Sequence, residues 1–208
     1  MTRWWQILLA VIVGLVVASS AVIALAAAII YPNLPSLEAL KDYQPKQPLR
    51  IYTEDGALIG EFGEERRAVV RLKDTPKVLP QAILAAEDER FYSHGGVDTL
   101  GVLRAALSNV MSRGAREGAS TITMQVARNF FLSSEKTFTR KINEALLAFK
   151  IEHALSKDEI LELYINHIFL GQRAYGFAAA AQIYFGKPLA KINVRSEERR
   201  VGKECATL

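Results

Sequence analysis

A continuous uncharged segment near the start of the chain constrains its fold more than any other feature. Residues 7–30 read ILLAVIVGLVVASSAVIALAAAII and contain no charged side chain. About twenty such residues cross the roughly 30 Å hydrocarbon core of a bilayer as an α-helix, so the sequence predicts a transmembrane anchor. Trp4 and Trp5 before the segment and Tyr31 after it occupy positions that interfacial aromatic side chains favour.

The charges that flank this segment predict its orientation. Arg3 precedes it, whereas Glu38 and Asp42 are among the charges that follow it. Because positive residues are retained on the cytoplasmic side, we predict the N-terminus inside and the remainder of the chain outside. A cleaved signal peptide is the alternative, since residues 24–26 (ALA) and 26–28 (AAA) resemble small-residue cleavage sites. The length of the apolar run favours the uncleaved anchor, and the rest of the chain is exported in both cases.

The composition allows one folded domain after the anchor. The chain has 208 residues, of which 50% are hydrophobic, and a formal net charge of +4. This length is enough for one core. The single cysteine, Cys205, permits no internal disulfide, so packing alone must hold the exported part together. The predicted regions are a cytoplasmic stub and anchor (1–31), a proline-punctuated spacer (32–48), a globular domain (49–194) and a charged tail without periodicity (195–208).

The globular part is predicted to begin with a small β-hairpin and to continue as helices. Residues 49–53 alternate in polarity, a turn signal follows, and residues 57–62 predict the second strand of the hairpin. Residues 68–72 predict a third short strand. After Pro80 apolar residues recur at helical spacing. This spacing predicts one helix that ends at Glu87 and further helices over residues 99–112, 120–132, 139–155, 157–168 and 177–184. The helix over residues 157–168 is predicted to open with a capping box from Ser156 to Glu159.

Residues 82–98, AILAAEDERFYSHGGVD, combine a helix end with a cluster of charged and aromatic residues. The apolar helical run ends at Glu87, and His94 and two glycines follow shortly after it. Gly95 and Gly96 end the helix and allow the backbone to turn freely. A carboxylate at such a helix-to-loop junction suits general-base chemistry. The alternative is a solvated helix end, which is the usual state of charged residues.

Five stretches in a fixed order resemble the motifs of the peptidoglycan glycosyltransferases, the lysozyme-like domain of class A penicillin-binding proteins and of monofunctional transglycosylases. They are EDERFYSHGG (87–96), GASTITMQVARN (118–129), RKINE (140–144), KDEILELYIN (157–166) and GFAAAAQIYFGK (176–187). The resemblance covers residues 49–191, and residues 128–141 are most similar to the 1A type from Gram-negative bacteria. It implies a mainly α, lysozyme-like fold with a small β-hairpin element, preceded by one transmembrane helix.

The resemblance also implies a reaction and the residues that carry it. The enzyme would polymerise lipid II, a disaccharide-pentapeptide on undecaprenyl pyrophosphate, into β-1,4-linked glycan strands. Glu87 is implied as the general base that deprotonates the acceptor's 4-hydroxyl, with Glu144 as a second, supporting glutamate. The attack inverts the donor linkage and releases undecaprenyl pyrophosphate. The residues implied in substrate binding are Asp88, His94, Ser120, Thr121, Gln125, Arg128, Asn129, Lys136, Arg140 and Lys141.

General chemistry agrees with these implied roles and leaves simpler readings open. A leaving group with several negative charges needs cations, and residues 128–141 contain them. Glu144 follows Lys141 and Arg140 by three and four residues, a helical spacing that brings the side chains together. A basic cluster after a membrane anchor, however, more often contacts anionic lipid than a substrate. His94 alone would more often be a structural hydrogen-bonding residue.

The implied cofactors, partners and location follow the family. No cofactor is required, although in many members a divalent cation, Mg²⁺ or Mn²⁺, assists at the pyrophosphate. The sequence shows no ligand cluster of recognisable spacing for one. The implied partners are lipid II, the growing glycan strand, membrane lipid and cell-wall synthesis proteins, with no nucleic acid. The implied location is the bacterial inner membrane, with the N-terminus inside and the catalytic domain in the periplasm.

The chain also departs from the family pattern. Met124 stands where many members have glutamine, so only Gln125 is carried over. We expect the domain to be truncated near Val194, with residues 195–208 foreign and the transpeptidase half absent. Two other functions stay open on the sequence: a lytic or hydrolytic muramidase on the same fold, which would not need the cations, and an inactive fragment that binds lipid II or cell-wall partners.

Overall fold

The computed structural model describes residues 4–37, 40, 49–56, 58–63, 65–111, 118, 120–132 and 137–192. The predicted binding residue Lys136 and the predicted tail, 195–208, lie outside the described residues. Within them, one helix is long and apolar enough to cross a membrane, and it lies near the N-terminus as predicted.

The described residues are mainly helical with a few short strands, which confirms the predicted fold class. The elements in chain order are α1 (Trp4–Ile30), β1 (Leu49–Tyr52), β2 (Leu58–Phe62), β3 (Arg66–Arg67), α2 (Val78–Glu87), α3 (Thr99–Met111), α4 (Ile122–Phe131), α5 (Phe138–Ala154), α6 (Lys157–His167), β4 (Ala174–Tyr175) and α7 (Phe177–Ala180). A π-helical turn, Ala181–Phe185, continues α7, and Gly186 ends it in the left-handed region with φ of 63°. The helices predicted after Pro80 are therefore confirmed to within a few residues.

Side-chain caps fix where the helices around the core begin. Thr121 before α4 and Thr137 before α5 each accept a hydrogen bond from the backbone N–H three residues further on. Ser156 and Glu159 form the predicted capping box before α6. Such caps satisfy N–H groups that have no partner inside the helix, and each typically contributes about 1 kcal/mol.

The predicted hairpin is confirmed, but the predicted third strand is wrong. Strands β1 and β2 pair antiparallel, with Leu49 opposite Phe62. The backbone within residues 68–72 is bound instead by a side chain of α6. The Val70 N–H donates to Asn166 Oδ1 at 2.9 Å, and Asn166 Nδ2 donates to the Val70 carbonyl at 2.8 Å.

A second two-stranded pair was not predicted. The two-residue strands β3 and β4 pair in parallel, with Arg66 opposite Ala174 and Arg67 opposite Tyr175. Two residues are too few to show the alternating pattern that reveals a strand in a sequence. The pair joins the segment that follows the hairpin to the segment that follows α6.

The core lies between α4, α5 and α6 and includes one residue that follows α2. Its largest fully buried hydrophobic side chains are Phe91, Ile122, Leu147, Ile151, Ile160, Leu161 and Ile165. The described part of the predicted spacer also packs here, because Leu34 and Leu40 are buried in this cluster. Lys150 Nζ on α5 donates to the Pro35 carbonyl at 2.9 Å. These contacts attach the residues after α1 to the globular domain.

Candidate active site

A cleft of about 230 Å³ opens where three segments meet. The first is the end of α2 with the turn after it, within residues 85–90. The second is the start of α3, within residues 98–105, and the third is formed by Gly118, Ser120 and Thr121 before α4. Four residues predicted for the site line this cleft: Glu87, Asp88, Ser120 and Thr121. Stretches that are distant in the sequence therefore share one concave surface.

Glu87 stands exposed at the C-terminal end of α2 and is held by one hydrogen bond from α4. Gln125 Nε2 donates to Glu87 Oε2 at 2.7 Å, and Gln125 itself is buried. The glutamate is therefore held by this bond rather than by packing against the apolar face of its own helix. One carboxylate oxygen is engaged by the amide, and the exposed side chain faces solvent in the cleft.

Asp88, which lines the cleft, forms a buried pair with His94. His94 Nε2 lies 2.9 Å from Asp88 Oδ1, and the Ile122 N–H at the start of α4 donates to Asp88 Oδ2 at 3.2 Å. A carboxylate at a helix N-terminus is favoured because it meets the positive end of the helix dipole. These contacts tie the residue next to Glu87 to the start of α4. Both carboxylate oxygens of Asp88 are used inside the protein, and His94 does not line the cleft.

The predicted glutamate–cation cluster on α5 is present. Glu144 is 1% exposed, and Lys141 Nζ lies 2.8 Å from its Oε2 while Arg140 Nε lies 3.2 Å from its Oε1. The three- and four-residue spacing had predicted both contacts. Lys141 Nζ also donates to Ser120 Oγ at 2.6 Å. Since Ser120 lines the cleft, this bond connects the cluster to the cleft that contains Glu87.

The remaining predicted residues lie on α4 beyond Gln125. Arg128 is half-buried and Asn129 is exposed, one turn after Gln125. A buried tyrosine of α6, Tyr164, was not among the predicted site residues although it lies within the fourth motif. Burial, followed by the charge of Glu87, raises the pKa of Tyr164 to about 12, and Arg128 acts in the opposite direction. Tyr164 therefore stays a neutral phenol close enough to both groups to feel their charges.

An ion pair links the loop after Glu87 to the start of α3. Arg90 Nη2 donates to both carboxylate oxygens of Asp98, at 2.8 and 2.6 Å. Asp98 Oδ1 in turn accepts from the Gly101 N–H at 3.0 Å and so caps α3. Burial raises the pKa of Asp98, but the Gly101 N–H and the Arg90 guanidinium outweigh it and lower the pKa below its ordinary value.

Two variants of Asp98 separate these contacts. Asp98→Asn keeps an oxygen for the cap and loses the ion pair, whereas Asp98→Ala loses both. Because Arg90 is 36% exposed, we expect the free energy of unfolding to fall by only about 0.5 kcal/mol for Asn and by about 1.5 kcal/mol for Ala. Urea titration of the detergent-solubilised chain measures both losses. Equal losses in the two variants would contradict a capping role.

The effect of the Asn variant should depend on pH. The folded-state pKa of Asp98 is depressed, so the stabilisation from its charge is present above the unfolded pKa of about 3.9. This stabilisation is lost as the pH falls through the folded-state pKa of Asp98. The difference between the wild type and Asp98→Asn should therefore disappear in strongly acidic solution.

Comparison with known proteins identifies the family to which this arrangement belongs. A family model described as transglycosylase matches residues 55–208, which is most of the chain. The chain belongs to the transglycosylase family. The matched range of this transglycosylase includes residues 195–208. The foreign origin predicted for these residues stays a prediction.

The relatives of this transglycosylase include penicillin-binding proteins 1A. The one from Neisseria cinerea is 58% identical over 88% of this chain and 23% of its own length, and the one from Pseudomonas aeruginosa is 54% identical over 78% and 20%. The crystal structure of penicillin-binding protein 1A from Haemophilus influenzae matches 72% of this chain and 13% of its own, at 30% identity and a TM-score of 0.29. The resemblance to the 1A type is confirmed. This transglycosylase spans less than a quarter of the length of these relatives.

No metal centre can be assigned within the described part of the transglycosylase. Among those residues, no group of three or more His, Cys, Asp or Glu side chains could hold a metal ion. Two carboxylates of the cleft are paired with protein cations or imidazole: Asp88 with His94 and Asp98 with Arg90. We therefore derive no step that passes through a metal.

Proposed function

We propose that the chain is a membrane-anchored peptidoglycan glycosyltransferase that polymerises lipid II into β-1,4-linked glycan strands. The family supports a reaction on glycan in general, and the finer assignment depends on the site. The observation that supports this assignment is that one cleft connects a glutamate to a cluster of cations. Glu87 lines that cleft, and Ser120 on the same lining accepts a hydrogen bond from Lys141, which pairs with Glu144.

Glu87 acts as the general base in this proposal. Its carboxylate takes the proton from the 4-hydroxyl of the acceptor sugar as that oxygen attacks C1 of the donor's MurNAc. The bond from C1 to the phosphate oxygen breaks, its electron pair leaves with the diphosphate, and the α-linkage becomes β. The 2.7 Å bond from Gln125 fixes one carboxylate oxygen and leaves the other for the proton. A positioned base typically contributes about 10²–10⁴-fold, so other groups must supply the remaining acceleration.

Arg140 and Lys141, here called the α5 cations, provide that further stabilisation. Negative charge develops on the departing diphosphate, and cations held in place before the reaction stabilise it without reorganisation. Glu144 is almost completely buried and holds Lys141 and Arg140 by their charged ends. We assign Glu144 the supporting role of keeping these two cations at the cleft. Arg128, Asn129 and Lys136 complete the proposed binding set.

The proposed location follows from the N-terminal helix. Helix α1 anchors the chain in the bacterial inner membrane, with the N-terminus inside and the catalytic domain in the periplasm. Lipid II is itself held in the membrane by its undecaprenyl chain, so an anchored enzyme and its substrate share one surface. The proposed partners are lipid II, the growing glycan strand and membrane lipid, together with cell-wall synthesis proteins.

Incubation of the detergent-solubilised chain with lipid II tests the proposed function against a muramidase. A glycosyltransferase produces polymer and releases undecaprenyl pyrophosphate. A muramidase leaves lipid II unpolymerised and shortens glycan strands that are added in a parallel reaction. We expect polymer in the first reaction and intact strands in the second, and the reverse pattern would refute the proposal.

A further inference from the structure

Arg104 on α3 is a cation of the cleft that lies outside the five motifs. It lines the cleft together with Glu87 and Ser120, and its side chain is exposed. Gly101 and Ala105 line the same cleft, and Gly101 precedes Arg104 by three residues and Ala105 by four. Residues three and four apart lie on one face of a helix, so the face of α3 that contains Gly101 forms this wall. Arg104 therefore belongs to a wall different from that of Ser120 and the α5 cations.

Arg104 also differs from its charged neighbours in its partners. Arg90 is paired with Asp98, and Glu144 pairs with both Arg140 and Lys141. Within the part of the chain that the structure describes, no ion pair involves Arg104. A guanidinium presents a rigid fork of donors that fits carboxylate or phosphate oxygens. An exposed arginine is most often simply solvated, but this one lies on a wall of the cleft that contains the proposed base.

The wall that carries Arg104 is fixed at its start. Asp98 caps α3 through the Gly101 N–H and is held by both hydrogen bonds from Arg90. A Cβ added to Gly101 would lie 2.5 Å from Asp98 Oδ2, so glycine is needed for this close approach. Arg104 follows Gly101 by one turn. The backbone position of Arg104 relative to the loop after Glu87 is therefore fixed by the Arg90–Asp98 ion pair and by the cap at Gly101.

We infer that Arg104 binds an anionic group of the acceptor substrate. The inference rests on the proposed function, in which two lipid II-type molecules meet at the base and each carries anionic groups. The α5 cations, reached through Ser120, receive the diphosphate that leaves the donor. The acceptor must occupy a different part of the cleft, and Arg104 supplies the cation on the α3 wall. The anionic group is either the acceptor's diphosphate or a carboxylate of its peptide.

Polymerisation kinetics of Arg104→Gln test this assignment. We expect the half-saturating concentration of lipid II to rise about tenfold, as for the loss of one charged hydrogen bond, with a much smaller change in kcat. Arg104→Lys should recover part of the loss because it keeps the charge. Arg71→Gln, which removes an exposed arginine that does not line the cleft, should match the wild type. Unchanged half-saturation in Arg104→Gln, or a loss confined to kcat, would overturn the inference.

A binding measurement keeps the inference separate from the proposed function. In a Glu87→Gln chain, which removes the proposed base, lipid II affinity is measured with and without Arg104→Gln. Weaker binding in the double variant supports the role of Arg104 even if the wild type forms no polymer. Equal affinity overturns it even if the wild type is an active polymerase.

Two probes identify the anionic group. One is the disaccharide diphosphate without its peptide, and the other is the disaccharide-pentapeptide without phosphate. Arg104→Gln should weaken the binding of one of them, and the affected probe shows whether the partner is phosphate or carboxylate. If neither probe loses affinity, Arg104 binds no acceptor anion and the inference fails.

Discussion

Replacing Glu87 by glutamine is expected to lower the rate of lipid II polymerisation by about 10²–10⁴-fold. The amide has nearly the shape of the carboxylate but cannot accept the proton of the attacking hydroxyl. Glu87 is exposed, so the variant should fold as the wild type does, and its melting temperature should be unchanged. The rate is measured as radiolabelled polymer formed per unit time at saturating lipid II.

Glu54→Gln is the matched control for this variant. Glu54 is also an exposed glutamate, but it lies in the turn of the β-hairpin and does not line the cleft. We expect its rate to equal that of the wild type. Equal rates in the wild type and Glu87→Gln would show that Glu87 is not the base.

Replacing Glu144 by glutamine should have the second largest effect, and it should affect both stability and rate. The change places an uncharged amide between Arg140 and Lys141, which lie 3.2 and 2.8 Å from the Glu144 carboxylate. Leaving charged groups without their partner costs about 1–3 kcal/mol of folding free energy. Because the two cations then lose their fixed position, we expect kcat to fall by about 10²–10³-fold, as when one stabilising group of an active site is removed.

Glu152→Gln separates the two effects of this variant. Glu152 is also on α5, has a side chain 10% exposed, and lies 2.7 Å from Lys157 Nζ. Thr123 Oγ1 donates to it as well, at 2.6 Å. It resembles Glu144 in being mostly buried and paired with a lysine, but its partners, Lys157 and Thr123, do not line the cleft. We expect a similar loss of stability with kcat changed by less than about threefold. A comparable fall in kcat would mean that Glu144 acts only through the fold.

The features that the sequence predicted correctly are those set by local geometry. Glu144 meets Lys141 and Arg140 because helical spacing brings such residues together, and Ser156 and Glu159 form a cap because the pattern is contained in four residues. The hairpin is likewise encoded by alternation around one turn. Each of these patterns requires only neighbouring residues to adopt one regular conformation.

The features that the sequence did not predict depend on contacts between distant segments. Asn166 binds the backbone of Val70, 96 residues away, and this contact replaces the expected third strand. Periodicity carries no information about such a contact, because it reports which face of an element is buried and not what covers it. The bond from Lys141 to Ser120, 21 residues away, is of the same kind.

The site shows the same division. The motifs identified Glu87 and Gln125 as site residues. They did not predict that the Gln125 amide donates a hydrogen bond to Glu87, 38 residues away. Asp88 was predicted to bind substrate, and the structure gives its carboxylate two internal partners, the His94 ring and the Ile122 N–H at the start of α4. Arg104 had no signal in the sequence, because an arginine on an apolar helix is usually a solvated residue. Only the fold places it on the cleft with Glu87.

The most direct test of the central claim is to count diphosphate released against sugar linkages formed, in one reaction, for the wild type, Glu87→Gln and Lys141→Met. If Glu87 removes the proton while the α5 cations receive the leaving group, the wild type should release one undecaprenyl pyrophosphate per new linkage. Both variants should then lose the two products in parallel. Diphosphate release that continues at the wild-type rate in Glu87→Gln, or linkages formed without release, would contradict the claim.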